Sequence, residues 1–278
     1  MTKRKMKYQA MTLGAGLLLA ISAAAQAGST TLVETSYEVN VKGITVIDIK
    51  YAASVSATTF RSEASVSTRG MVALFSDYLM ELKTTGRVAR GDASPARHVL
   101  LREKNDKIKK TEITWPGGHV AAGVSGKDPE VHAEIERALT ADASDVLTAV
   151  LRIGKPDASG PCRTTQRVFD GKEVFDLQFN FRRAVELEAE SKGAYQGSAF
   201  ECEMTYVPVA GKYANKFRSR NEKPLRFKVW LAPVAKDAEG NTLLVPVRAS
   251  GKLDGLKFFA ETSRIRLDGH PYGKLTPK

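Results

Sequence analysis

The sequence is poor in the residues that build reaction centres. Of 278 residues, two are cysteine, Cys162 and Cys202, and four are histidine. Two distant thiols cannot complete a four-ligand zinc site, and they lack the C-x-x-C spacing of a redox pair. The histidines, His98, His119, His132 and His270, fall in a candidate strand, a Gly-rich loop, a helix and the C-terminal tail. No two of them have the i, i+4 spacing that ligates a metal from one helix face. A phosphate loop is also missing. Gly126-Lys127 resembles the end of one, but Ala121 stands where the first glycine is needed and Asp128 where Ser or Thr is needed. Gly123-Val124-Ser125-Gly126 is not a nucleophile elbow either. The stretch 116–130 is therefore expected to be a flexible connector. These absences leave no catalytic residue, metal or cofactor to assign.

Acids are short relative to bases, 31 against 42. Beyond the N-terminus there is no apolar run long enough to span a bilayer. The first 27 residues read as a secretory signal: basic "MTKRKMK", apolar "AMTLGAGLLLAISAAA", then the small-x-small site "AQA" with cleavage after Ala27. The chain 28–278 is expected to be one exported β-domain in the periplasm. Loss of Lys3, Arg4, Lys5 and Lys7 lowers the formal charge from +11 to +7. Outside the cytoplasm such a charge points to solubility or to anionic headgroups, and away from nucleic acid.

Export places both thiols where disulfides persist, and two cysteines allow one intramolecular pairing. Asp170-Gly171 predicts a two-residue hairpin turn. That register opposes Phe175 to Gln166, Leu177 to Thr164 and Phe179 to Cys162. Phe175, Leu177, Phe179 and Phe181 then share one face, and Cys162 joins it. Phe200, Cys202, Met204 and Tyr206 alternate in the same way with Glu201, Glu203 and Thr205. Between them "AVELEAE" (184–190) alternates as a further strand, its glutamates forming a solvated face. The matched phases predict a structural Cys162–Cys202 disulfide, with free buried thiols as the alternative.

The rest of the chain is mostly strand-like. Residues 31–68 are rich in Tyr, Val, Ile and Thr around a Lys42-Gly43 turn. Met71, Leu74 and Phe75 fit a short helical turn. "ARHVLLREKNDKIKKTEITW" suggests a hairpin turning near 105–107. "VHAEIERALTADASDVLTAVLRIGK" looks helical, capped by Asp142 or Ser144 and ended by Gly154 and Pro156. Two further strand runs follow, turning around 237–241. Many short strands with few helical turns predict an all-β, mainly antiparallel fold with one or two short helices. The run "GKYANKFRSRNEKPLRFK" interleaves cations with aromatics between two strands. Lys216, Arg218 and Arg220 are its candidate ligand-binding residues, for anionic lipid or envelope polymers. A long solvated turn is the plainer reading of the same run.

The order "YEVNVKGITV", "RGMVALF", "PCRTTQRVFDGKEVFDLQF", "ECEMTYVPVAGK" and "VWLAP…LLVPVRA" resembles an uncharacterised exported bacterial family, the domain of unknown function 3108. That resemblance implies a curled antiparallel sheet or open barrel, related in shape to periplasmic proteins of which some carry lipids or lipoproteins. It supplies no catalytic residues. The expectation is a monomeric, non-enzymatic envelope protein that binds an amphiphile, a lipoprotein acyl chain or a protein partner in a curled sheet, with peripheral membrane contact. A periplasmic hydrolase with an unrecognised site is the alternative.

Overall fold

The computed structural model describes residues 30–70, 72–73, 77–105, 107–122, 129–155, 160–236, 240–253 and 255–272. The expected secretory signal, the helical turn expected on Met71, Leu74 and Phe75, and Gly126-Lys127 lie outside these residues. So does most of the 237–241 turn.

Strands dominate because alternating sequences bury one face of an extended chain. In chain order they are β1 (Thr31–Val41), β2 (Ile44–Val55), β3 (Thr59–Thr68), β4 (Tyr78–Ala89), β5 (Asp92–Lys104), β6 (Lys107–Thr114), β7 (Ala121–Ala122), β8 (Thr164–Phe169), β9 (Val174–Leu187), β10 (Gly197–Ala210), β11 (Leu225–Lys236), β12 (Thr242–Leu253), β13 (Leu256–Leu267) and β14 (His270–Pro271). The described helices are α1 (Pro129–Ala138), α2 (Val146–Ile153) and α3 (Lys212–Ser219). One antiparallel sheet runs β7-β6-β5-β4-β3-β2-β1-β13-β12-β11-β10-β9-β8, with β14 added to β13. β1 pairs with β13, so both ends of the chain meet in the middle of the sheet.

The sheet curls without closing by backbone hydrogen bonds. Its two edges approach through side chains instead. Ile113 of β6 and Trp115 share a buried cluster with Phe169 and Val174 of the β8–β9 hairpin and Ile135 of α1. Arg102 of β5 reaches Asp170 at 3.6 Å. Ser144 bridges to Val168 on the β8 edge, which covers part of that strand's free backbone.

Helix α2 fills the hollow. Leu147 packs on Leu82 and Leu100, and Leu151 on Val55, Phe60, Val88 and Ala93. Ala149 and Ile153 pack the other way, against Val168, Leu177, Phe179, Val229, Leu231 and Leu244. One short amphipathic helix thus joins the two halves of the sheet. Its cap is Asp145, not Asp142 or Ser144. The helical sequence expected over 131–155 is two helices with a break between Ala138 and Val146.

The hairpin after Cys162 differs from the expected register. Val168 pairs with Phe175, Gln166 with Leu177 and Thr164 with Phe179, so the loop is the four residues Asp170–Glu173. The Asp170 carboxylate accepts from the backbone N–H of Lys172 and Glu173, both at 2.9 Å, and this local bonding widens the turn. A shift of two residues preserves strand parity, so the aromatic face is unchanged. The "AVELEAE" segment is not a separate strand. β9 runs on through it to Leu187, kinked by an irregularity opposite Glu201 and Cys202. The 116–130 connector also carries structure: a 3₁₀ turn at Pro116–Gly118, then β7 against β6.

Gly171 has φ +91°, and a Cβ there would lie 2.4 Å from Thr111 Cγ2. Gly91, in the β4–β5 turn, has φ +80° with nothing within 4 Å. Gly171→Val is therefore expected to cost more stability than Gly91→Val, by roughly 1–3 kcal/mol. Urea melts of the two variants make the comparison, and equal losses would remove the close approach to β6.

Candidate functional site

Successive antiparallel strands send their connections alternately to two rims. One rim receives the β1–β2, β3–β4, β5–β6, β8–β9, β10–β11 and β12–β13 connections. The basic run lies there, in the β10–β11 connection. It is not the long turn expected, because eight of its residues form α3.

Helix α3 is held firmly. Its N-cap, Gly211, has φ +117° and no side chain to cap with, so Glu173 reaches over from the β8–β9 loop. Glu173 accepts from the Tyr213 N–H at 3.0 Å. Burial raises its pKa, aided by nearby Asp170, while the helix N–H donors act against the rise. Arg218 secures the other end. Its guanidinium donates to the Val209 carbonyl at 2.8 Å and to Glu134 of α1 and Asn215.

The three predicted cations therefore separate. Arg218 is committed to holding α3 against α1 and β10. Lys216 and Arg220 stand four apart, on one helical face, and both are exposed. Arg220 lies 3.7 Å from an exposed Glu222, a weak surface pair. Lys216 makes no ion pair among the described residues. A strand or turn reading could not separate the three, because only helical geometry puts 216 and 220 together and turns 218 away.

Cys162 and Cys202 are bonded, with Cα atoms 6.0 Å apart. Both are buried in the aromatic cluster with Phe179 and Leu177. The bond ties the segment before β8 to β10, across β9.

The residues that sequence reasoning missed form a buried polar cluster under α2. Thr84 of β4 donates to Asp145 Oδ1 at 2.7 Å, and its Oγ1 lies 2.8 Å from His98 Nδ1. His98 Nδ1 is itself 3.2 Å from Asp145 Oδ1. One hydroxyl hydrogen goes to Asp145, so the Thr84 oxygen accepts from His98 Nδ1–H. Asp145 also accepts from the Leu147 and Thr148 N–H groups and from the Thr148 hydroxyl at 2.6 Å. Burial alone would raise the Asp145 pKa; His98, Thr148 and Thr84 overcome it, and the net shift is downward. Side-chain exposure is 2% for His98 and 0% for Asp145, so the cluster holds α2 to the sheet and is sealed from solvent. Asp145 was legible, since it directly precedes the first apolar residue of the helix. Nothing in the sequence linked it to Thr84 and His98. His119 and His270 are exposed and His132 lies in α1. Among the described residues no group of three or more His, Cys, Asp or Glu could hold a metal ion.

Fold and rim together describe a barrel-like, curled antiparallel sheet, plugged by one helix and carrying a second, basic helix on its rim. The chain belongs to the protein family of unknown function DUF3108, whose model matches residues 36–255. No curated protein matches the chain. A solved structure from Brucella abortus, a beta-barrel-like protein of the domain of unknown function DUF1849, is similar at a TM-score of 0.45. The two share 9% identity, over 85% of this chain and 97% of that one.

Proposed function

We propose that this is an exported, non-enzymatic protein of the periplasm that binds anionic groups of the cell envelope, lipid headgroups above all, through the α3 rim. The observation that carries the reading is the rigid presentation of two outward cations. Lys216 and Arg220 face solvent from a helix pinned at both ends by Glu173 and Arg218. Pinning lowers the ordering penalty that flexible cations would meet on binding. Because α2 occupies the hollow of the sheet, an acyl chain swallowed there is a poorer fit than a surface docked at the rim.

Cosedimentation with vesicles containing phosphatidylglycerol tests this. Each cation near an anionic surface contributes about 1 kcal/mol, or roughly fivefold in affinity. Lys216→Glu with Arg220→Glu should weaken binding by well over that factor and flatten its salt dependence. Arg218→Glu should instead lower thermal stability, through loss of the tie to α1. Wild-type protein that binds neither anionic vesicles nor an anionic polymer overturns the proposal.

A further inference from the structure

Five large apolar side chains are exposed among the described residues: Ile44 (56%), Val72 (37%), Ile108 (68%), Leu253 (52%) and Leu256 (47%). Single exposed hydrophobics are ordinary on a protein surface. Their placement here is not. Ile44 ends the β1–β2 turn, Val72 lies in the β3–β4 connection, Ile108 follows the β5–β6 turn, and Leu253 and Leu256 flank the β12–β13 turn. By the antiparallel topology all five sit on the rim that carries α3.

The tips are neighbours. Leu253 pairs with Leu256 across the last turn of their hairpin. Val41 pairs with Phe258, which sets the β12–β13 tip beside the β1–β2 tip. The Arg69 N–H donates to the Val46 carbonyl at 2.9 Å, joining the β3–β4 connection to that tip. The Asn105 N–H donates to the Asp77 carbonyl at 3.3 Å and joins the β5–β6 turn in its turn. Exposed lysines stand beside the apolar tips: Lys42 next to Ile44, Lys104 and Lys107 around Ile108, and Lys252 and Lys257 around the two leucines. The acids of the same connections are Asp77, Glu103, Asp170, Glu173 and Glu222, with Asp106 and Asp254 between the paired strands in the sequence, and the cations outnumber them. The opposite rim carries both signs, with Arg90 and Arg163 beside Asp92, Glu188, Glu190 and Asp268, all exposed.

We infer that this rim inserts its apolar tips into the surface of an anionic bilayer. The inference rests on the proposed function and names its partner. A soluble polyanion would engage the cations and leave the apolar tips in water. A bilayer satisfies both, because apolar side chains enter the headgroup boundary while lysines stay among the phosphates. The attachment therefore has a salt-sensitive part, from Lys216, Arg220 and the turn lysines, and a salt-insensitive part, from the tips. The protein sits end-on, with the opposite rim facing away from the membrane.

The test compares full-length mature protein on vesicles of phosphatidylglycerol and phosphatidylcholine. Replacing Ile108 by Ser, or Leu253 and Leu256 together by Ser, should weaken binding by on the order of tenfold per tip. The salt slope should stay that of wild type, and because these side chains are exposed the melting temperature should hold. Ile108→Trp should show a blue-shifted emission on vesicles, quenched by brominated lipid. Tip variants that bind like wild type, or a Trp at 108 whose emission stays that of water on vesicles that do bind, overturn tip insertion. Wild-type binding to soluble polyphosphate but not to vesicles also overturns it, and leaves the proposed function standing. Binding to neither probe overturns the proposed function itself.

Discussion

Asp145→Ala should lower stability by about 3–5 kcal/mol, the range for removing one partner from a buried charged network. The substitution leaves the Thr84 and Thr148 hydroxyls and two helix N–H groups without their shared acceptor, and removes the carboxylate 3.2 Å from His98 Nδ1. It also uncaps α2, the helix on which both halves of the sheet pack, so the loss should be cooperative over the whole fold. Urea denaturation followed by far-UV and near-UV circular dichroism measures it, with both probes moving together. The same residue sets a pH dependence. Its folded pKa lies below the unfolded value, so its stabilisation is fully present above the unfolded pKa of about 3.9. It is lost as pH falls from there through the lower folded pKa. Asp145→Asn should flatten stability against pH in that acidic window. A variant profile parallel to wild type there would show that the carboxylate charge contributes nothing.

Removing the disulfide should be comparably costly. The bond closes a loop of 40 residues, worth about 4 kcal/mol in the chain-entropy account. For a domain of this size that corresponds to roughly 10 °C in melting temperature. Cys162→Ala with Cys202→Ala, or reduction of wild type, should give the same loss, and vesicle binding at a permissive temperature should survive it. Non-reducing peptide mapping should find one cross-linked pair. Two alkylatable thiols in natively exported protein would refute the bond. The effect is expected to be structural because both sulfurs are buried among Phe179, Leu177 and Leu231.

The cysteine pairing was legible from alternation. Cys162 and Cys202 each fall in phase with aromatic neighbours, and phase survives a register slip of two residues. The slip itself was not legible. It arises because Asp170 bonds to the N–H groups of Lys172 and Glu173 and because Glu173 is drawn toward the end of α3. The Asp170 bonds are local, but Glu173 and Tyr213 are 40 residues apart, and a hairpin pattern carries no record of that contact.

The sequence by itself determined an all-β antiparallel chain, the pairing of its cysteines and the family to which it belongs. Each rests on local alternation, on counting, or on residue order. Tertiary structure alone decided that α2 fills the hollow of the curled sheet, anchored through Thr84, His98 and Asp145. It also decided that Arg218, though exposed, is tied to Glu134 of α1 while Lys216 and Arg220 face solvent, and that the apolar tips gather on one rim. Period and composition describe which face of an element is buried. They do not say which elements meet, and a rim is built from residues that only the antiparallel order of the strands brings to the same end.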